Sequence, residues 1–267
     1  DASTTFTIDI GSVPKVTFAK QPTSSDDPNY ALTTSTTQAS YIYNATVTFS
    51  KAVNFSHADS EGQTMKLFGK DYVVAAATDT DTIVLLESAE KFNLDSNNPT
   101  KDVTIQGSAY TIELVSASDS AATIKVTNSA GVSESKEITE AASKKVNGIT
   151  VAVTVADETN LKLSATVVAG TNKVTLEDGS AVQTGETDTT VDGTLVDFET
   201  GNPNNLTALT ISVYAPESDK DSINVGKSFV DPVYKTFKLD FSGLNIASDS
   251  TTARETINVA PKSDDKL

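Results

Sequence analysis

The chain has 267 residues with no cysteine, no tryptophan, one histidine and a formal net charge of −16. That length accommodates one large domain or two to three small ones, and it suffices to bury a core without disulfides or metals. The acidity, with no basic residues gathered into a stripe, argues against nucleic acid and anionic lipid as partners, because both demand cations at the contact.

Strand signals begin at once. Phe6, Ile8 and Ile10 alternate with Thr7 and Asp9. Tyr41, Tyr43, Ala45, Val47 and Phe49 share one face, and Asn44, Thr46 and Thr48 the other. The same period of two recurs at Tyr110, Ile112 and Leu114, at Ile149, Val151, Val153 and Val155, at Leu209, Ile211 and Val213, and at Phe237, Leu239 and Phe241. Alternating β-branched and aromatic residues are the mark of half-buried strands, and a disordered chain of low apolar content has no need of them. Asn147-Gly148, Asp178-Gly179 and Asp192-Gly193 supply turn chemistry between the runs. Helix signals are sparse: Glu140 and Lys144 stand at i,i+4, and one short helix is expected within Ser135 to Val146.

The expected fold is all-β, with two or three sandwich-like or small-barrel modules, mostly antiparallel, and little helix. The polar stretches Lys91 to Thr100 and Gly185 to Thr190 read as boundaries. They divide the chain into a first β domain over 1–95, a smaller inserted β domain over 96–182 and a third β segment over 183–267 that packs back on the first. No apolar run is long enough to span a membrane. The start, Asp1-Ala2-Ser3-Thr4, fits either the end left by signal-peptide removal or an internal boundary, and Asn258 to Leu267 reads as cut before a further strand.

A repeat runs through these strands. Met65-Lys66-Leu67-Phe68-Gly69-Lys70-Asp71-Tyr72 is followed by Ile105-Gln106-Gly107-Ser108-Ala109-Tyr110, with looser echoes at Val146 to Val151 and Val191 to Val196. The glycines stand roughly 40 residues apart, the spacing of a repeated supersecondary unit.

Reactive chemistry is thin. His57 has Ser56 and Asp59 nearby, but the stretch reads as a polar surface loop without the buried acid or nucleophile elbow of a catalytic triad. One histidine and no cysteine disfavour zinc. Phosphate-cradling loops and dinucleotide fingerprints are missing, and no enzyme activity is expected. Hard cations take carboxylate oxygens, and Asp79 and Asp81, two residues apart, are the candidate metal ligands. Asp26-Asp27, Asp219 with Asp221, and Asp264-Asp265 are further pairs, each read first as a solvated loop. No cofactor is required; structural Ca²⁺ or another divalent cation is the ligand these pairs would take. Asn44, Asn54 and Asn205 head Asn-x-Ser/Thr sequons and are candidate glycosylation sites, with Asn44 on the polar face of its strand.

The repeated Gly-x-x-Tyr strands, Val174-Thr175-Leu176-Glu177-Asp178-Gly179 and above all the run from Val225-Gly226-Lys227-Ser228-Phe229-Val230-Asp231-Pro232 to Leu244 resemble the surface-layer (S-layer) proteins of archaea, over residues 60 to 245. The resemblance implies an extracellular β-rich glycoprotein at the cell surface. Its partners would be its own copies in a two-dimensional lattice, together with other envelope proteins or glycans, and divalent cations would support assembly. The expected function is thus a structural subunit of a protective, sieving cell envelope. The alternative is a secreted or cell-surface adhesin-like β-sandwich binding module, with an extracellular hydrolase third.

Overall fold

The computed structural model describes residues 3–11, 15–18, 30–218, 220–245 and 251. The chain opens with β1 (Thr4–Ile10), β2 (Lys15–Phe18), β3 (Tyr30–Thr33) and the long β4 (Tyr43–Val53). Three four-strand meanders follow. The first is β5 (Thr64–Leu67), β6 (Lys70–Val74), β7 (Thr82–Glu87) and β8 (Glu90–Asp95). The second is β9 (Thr100–Ile105), β10 (Ser108–Ser118), β11 (Ala121–Asn128) and β12 (Ser133–Thr139). The third is β13 (Ala142–Val146), β14 (Ile149–Thr159), β15 (Lys162–Gly170) and β16 (Asn172–Glu177). The chain closes with β17 (Gln183–Thr184), β18 (Thr189–Thr190), β19 (Thr194–Phe198), β20 (Leu206–Val213), β21 (Ser222–Asn224), β22 (Lys227–Val230) and β23 (Lys238–Phe241). Helical structure among the described residues up to 245 is limited to three 3-10 turns of three residues each. The fold is all-β, as expected, built of sandwich-like antiparallel sheets of which none closes into a barrel.

The repeat has a backbone cause. Phe68-Gly69, Gln106-Gly107 and Asn147-Gly148 each have both residues at positive φ, and Leu67↔Lys70, Ile105↔Ser108 and Val146↔Ile149 pair directly beside them. These are two-residue type I′ turns, whose twist matches that of the flanking strands and whose second position favours glycine. Each meander therefore begins with the same tight hairpin. Gly193 also has positive φ but joins no hairpin; it passes close to the Tyr214 carbonyl at the entry to β19.

The second meander forms its own sheet, in the order β12-β11-β10-β9. The first and third share theirs. One sheet runs β13-β14-β15-β8, the other β18-β17-β16-β7-β6-β5. Thr82–Glu87 pairs with Asn172–Glu177, and Glu90–Asp95 pairs with Ser164–Ala169 in one unbroken register. A two-stranded ribbon thus passes from one sheet into the other. It is interrupted only at Ser88 and Ala89 on one strand and at Gly170 and Thr171 on the other. Ser88 has a positive φ there, and the Thr171 N–H donates to the Glu87 carbonyl at 2.9 Å. A Cβ on Gly170 would lie 2.7 Å from that carbonyl and 2.9 Å from the Ala89 side chain, so only glycine fits the crossing.

The sheets therefore change near residues 88 and 171, not at 95 and 182. The polar stretch from Lys91 contains most of β8, and Gly185 to Thr190 lies in the β17–β18 hairpin. The helix expected within Ser135 to Val146 is replaced by β12 and β13. Ile138 alternates inward there, and Ala141 turns the chain at φ 58°. Glu140 and Lys144 sit on opposite sides of that turn, and the Glu140 carboxylate accepts from the Ala156 N–H at 2.6 Å instead of meeting a helical partner.

Burial follows this topology. One core gathers β4, β6, β7, β16, β19 and β20, with Tyr43, Phe49, Tyr72, Leu85, Phe198 and Ile211 among its members. A second lies between the sheets of the second and third meanders, around Ile112, Ile124, Ile138, Val151 and Val167. A third, small cluster joins Val73, Ala75, Val84 and Leu86 of one sheet to Ala152 and Val168 of the next. Strands that meet it are buried on both faces. Hence Ile83 to Leu86 reads as an unbroken apolar run where the rest of the chain alternates. Each large aliphatic side chain so buried contributes roughly 1.5–3 kcal/mol.

Candidate functional site

The expected cation ligands sit in the turn between β6 and β7. Asp79 Oδ1 accepts from the Asp81 N–H at 2.9 Å, the Thr82 N–H at 2.8 Å and the Thr82 hydroxyl at 2.9 Å. These bonds, led by that from Asp81, hold the Asp79 carboxyl below the usual carboxylate range. Its oxygen is thereby committed to shaping the turn. Asp81 is exposed, and among the described residues no group of three or more His, Cys, Asp or Glu comes together. Asp26, Asp27, Asp219, Asp264 and Asp265 lie outside the described residues.

His57 caps a 3-10 turn: its Nδ1 accepts from the Asp59 N–H at 3.2 Å. Ser56 turns away from it, its hydroxyl within hydrogen-bond reach of both Asn54 Oδ1, at 2.9 Å, and Asn204 Oδ1. That last contact brings two of the three sequons together. The Phe55 N–H donates to the Pro203 carbonyl at 2.9 Å, and Leu206 pairs with Val53. Asn54 and Asn205, 151 positions apart in sequence, therefore share one end of the first core, and both are exposed. Their sequons are anchored by what lies between: Phe55 is buried edge-on against Phe49, with ring centroids 5.7 Å apart, and Leu206 is fully buried. Asn44 is placed differently. It lies in the middle of its sheet, opposite Asp9 on one side and Ser212 on the other, and its Oδ1 is sealed from solvent without a hydrogen-bond partner among the described residues.

The segment of strongest family resemblance folds as the β22–β23 hairpin and its connection. Asp231, 1% exposed, anchors it. Its carboxylate accepts from the Tyr43 hydroxyl, from the Tyr234 N–H at 2.7 Å and from the Lys235 N–H at 2.9 Å. Burial, followed by the charge of Asp231, pushes the Tyr43 hydroxyl far above its ordinary range; burial also raises Tyr72 and Tyr234. The hairpin is clipped across the sheet of β4 without closing on β1. An apolar groove of about 230 Å³ remains between them, lined among others by Ile8, Ile10, Tyr43, Phe229, Phe237 and Leu239. The alternation in β1 predicts a half-buried strand. Instead Phe6, Ile8 and Ile10 are 39%, 42% and 63% exposed, because among the described residues β1 is the sheet's edge and nothing covers this groove beside it.

Neither the groove nor the Asp231 anchor was signalled by sequence, since the anchor joins residues 188 positions apart and the groove lies between β1 and a hairpin near the other end of the chain. Comparison with family models, with curated proteins and with solved structures found no match to this chain.

Proposed function

We propose that the chain is a structural subunit of an extracellular surface-layer lattice, without catalytic activity, forming part of a protective, sieving envelope. The observation that carries this reading is the double-stranded ribbon in one register through two sheets. Its two strands, with the small apolar cluster around Leu86 and Val168, tie one core to the other at two points in the chain. A wall element needs cores tied at more than one point, so that load passes through both strands and the packing between them.

Two further features support the reading. The outward faces are rich in Thr and Ser, and the net charge of −16 would favour passage of cations through gaps between subunits. Asn54 and Asn205 project from one end of the first core, so glycans there would cover a single hydrated surface. Asn44 is set aside for this role. No helix among the described residues is long and apolar enough to cross a membrane. The partners proposed are further copies of the chain, with divalent cations and neighbouring envelope proteins or glycans as supports.

The test is electron microscopy of the concentrated protein, with millimolar Ca²⁺ and with chelator. Ordered sheets or tubes are the expected result, and their loss on chelation would identify the cation dependence. Dispersed monomers under both conditions would count against the lattice and favour the adhesin-like module.

A further inference from the structure

We propose that residues 256–260 of this chain, Thr-Ile-Asn-Val-Ala, add as a strand to the open edge of β1, with Ile257 and Val259 in the apolar groove beside it. This contact goes beyond the lattice reading and does not depend on it.

The edge of β1 is ready to pair. The Gly11 N–H donates to the Ile42 carbonyl at 2.9 Å, and the Ser50 N–H donates to the Ser3 carbonyl at 2.9 Å. With Ile10 opposite Tyr43 and Thr4 opposite Phe49, these two bonds fix the phase of the ladder. In an antiparallel pair, alternate residues aim N–H and C=O at the partner strand and the others aim them away. The backbone groups of Phe6, Ile8 and Ile10 therefore face away from β4, and no strand among the described residues pairs with them. Ile8 and Ile10 also line the groove of about 230 Å³. β1 holds one charge and no proline, so it lacks the devices that keep an edge strand from pairing.

Sequence narrows the occupant. Of the longer stretches outside the described residues, 19–29 has two prolines and no large aliphatic side chain, and 246–250 has a single one. Residues 252–267 hold Ile257 and Val259 on either side of Asn258, with no charge from Thr256 to Ala260. β-branched residues at period two, bounded by Pro261, are strand chemistry. Ile257 and Val259 stand two positions apart, as Ile8 and Ile10 do. Each pair is thus spaced by about 7 Å along an extended strand, and the two pairs match across the edge. The groove exceeds the void left by deleting a buried leucine side chain, on the order of 150 Å³, so it takes one aliphatic side chain whole and part of a second.

The tether narrows it further. Phe237 and Leu239 wall the groove opposite Ile8 and Ile10, and their strand, β23, ends at Phe241. The chain from Phe241 to Thr256 extends up to about 50 Å, far more than the width of a groove with β23 as its wall. A strand tethered this way meets the edge at an effective concentration on the order of millimolar. A second copy would bring another charge of −16 against the first and lose its translational freedom as well. An edge covered by its own chain cannot template pairing with other chains, so contacts between copies fall elsewhere on the surface.

Amide hydrogen exchange of the full chain, read residue by residue by NMR in dilute solution, tests this. The Phe6, Ile8 and Ile10 amides should be protected although no described strand bonds them. Ile257→Asp combined with Val259→Asp should speed exchange at those three amides by about tenfold or more. The Thr7 and Asp9 amides, which face β4, and those of the core around Ile211 should keep their rates. Unprotected Phe6, Ile8 and Ile10 amides in the wild type would overturn the proposal, and so would protection that the double variant leaves intact. The absence of cysteine permits a second measurement. Val259→Cys, labelled with a benzophenone maleimide and irradiated in a mixture of isotope-labelled and unlabelled full chains, should cross-link to residues 6–10 or 237–239 of its own chain. Cross-links only between copies would give the groove to a second copy and overturn this contact; cross-links only elsewhere, or none, overturn it too. None of these results needs a lattice to form, so their failure leaves the lattice reading standing. A covered edge on a chain that never assembles would overturn the lattice reading alone.

Discussion

Asp231 shows how one side chain can hold an element in place. Its carboxylate ties the start of a turn to Tyr43 on a strand from the other end of the chain, with backbone donors taking the remaining lone pairs. Asp231→Asn leaves those donors a weaker, partly mismatched acceptor and should cost about 2–3 kcal/mol in urea unfolding. Tyr43→Phe removes a single donor and should cost about 1–2 kcal/mol. The tyrosines add a pH dependence. Tyr43, Tyr72 and Tyr234 have folded values raised above their unfolded ones by burial. Their contribution is fully present below the unfolded value, near pH 10, and is lost as pH rises beyond it. An alkaline titration should therefore show three of the seven tyrosines ionising only as the β signal in circular dichroism collapses. Smooth ionisation of all seven before unfolding would contradict this. The acid side carries the opposite sign. Asp79 is held low by turn bonds, so its contribution is present above about pH 4 and is lost below it. Asp79→Ala should flatten the stability profile on that limb.

Among elements, the type I′ hairpin is the repeated part. Gly107 has open space around its missing Cβ, so Gly107→Ala tests backbone strain alone and should cost about 1–2 kcal/mol. Gly170→Ala tests something else, a fixed carbonyl in contact, and should cost about 1–3 kcal/mol while disturbing the crossing of the ribbon. Comparing the two by denaturation, with hydrogen exchange at Thr171, separates turn from junction. Asn147-Gly148 was legible as a turn because Asn-Gly is a local signal, whereas Phe68-Gly69 and Gln106-Gly107 were read as parts of repeated strands and prove to be hairpin turns. Strand existence was legible for the same reason, since alternation is written along one segment. Strand partnership was not. Nothing local in Glu90 to Asp95 says that its partner is Ser164 to Ala169, so a run with Asn and Asp residues passed for a linker. The expected helix failed because a single i,i+4 charge pair is also produced by chance across a turn.

At the scale of the molecule, the ribbon and the cluster around Leu86 and Val168 link the two cores, and the proposed role requires that they open together. Amide exchange should give the slowest protons near Ile211 and near Ile124 the same opening free energy; two separate plateaus would mean that the cores open independently. The all-β class could be read from composition and alternation. The open groove and the pairing of Asn54 with Asn205 could not, because each arises from the way distant segments meet. Of the candidate site residues that are described, the sequons of Asn54 and Asn205 come together in space, and the Asp79–Asp81 pair resolves into a turn. What these features describe jointly is an acidic block of two cores tied by a paired ribbon. The most direct test is sedimentation velocity of the full chain over a wide concentration range. The account predicts a weight-average sedimentation coefficient that keeps rising through dimer, trimer and larger species, as open assembly into a lattice requires. A plateau at monomer, or at a closed dimer, would contradict it.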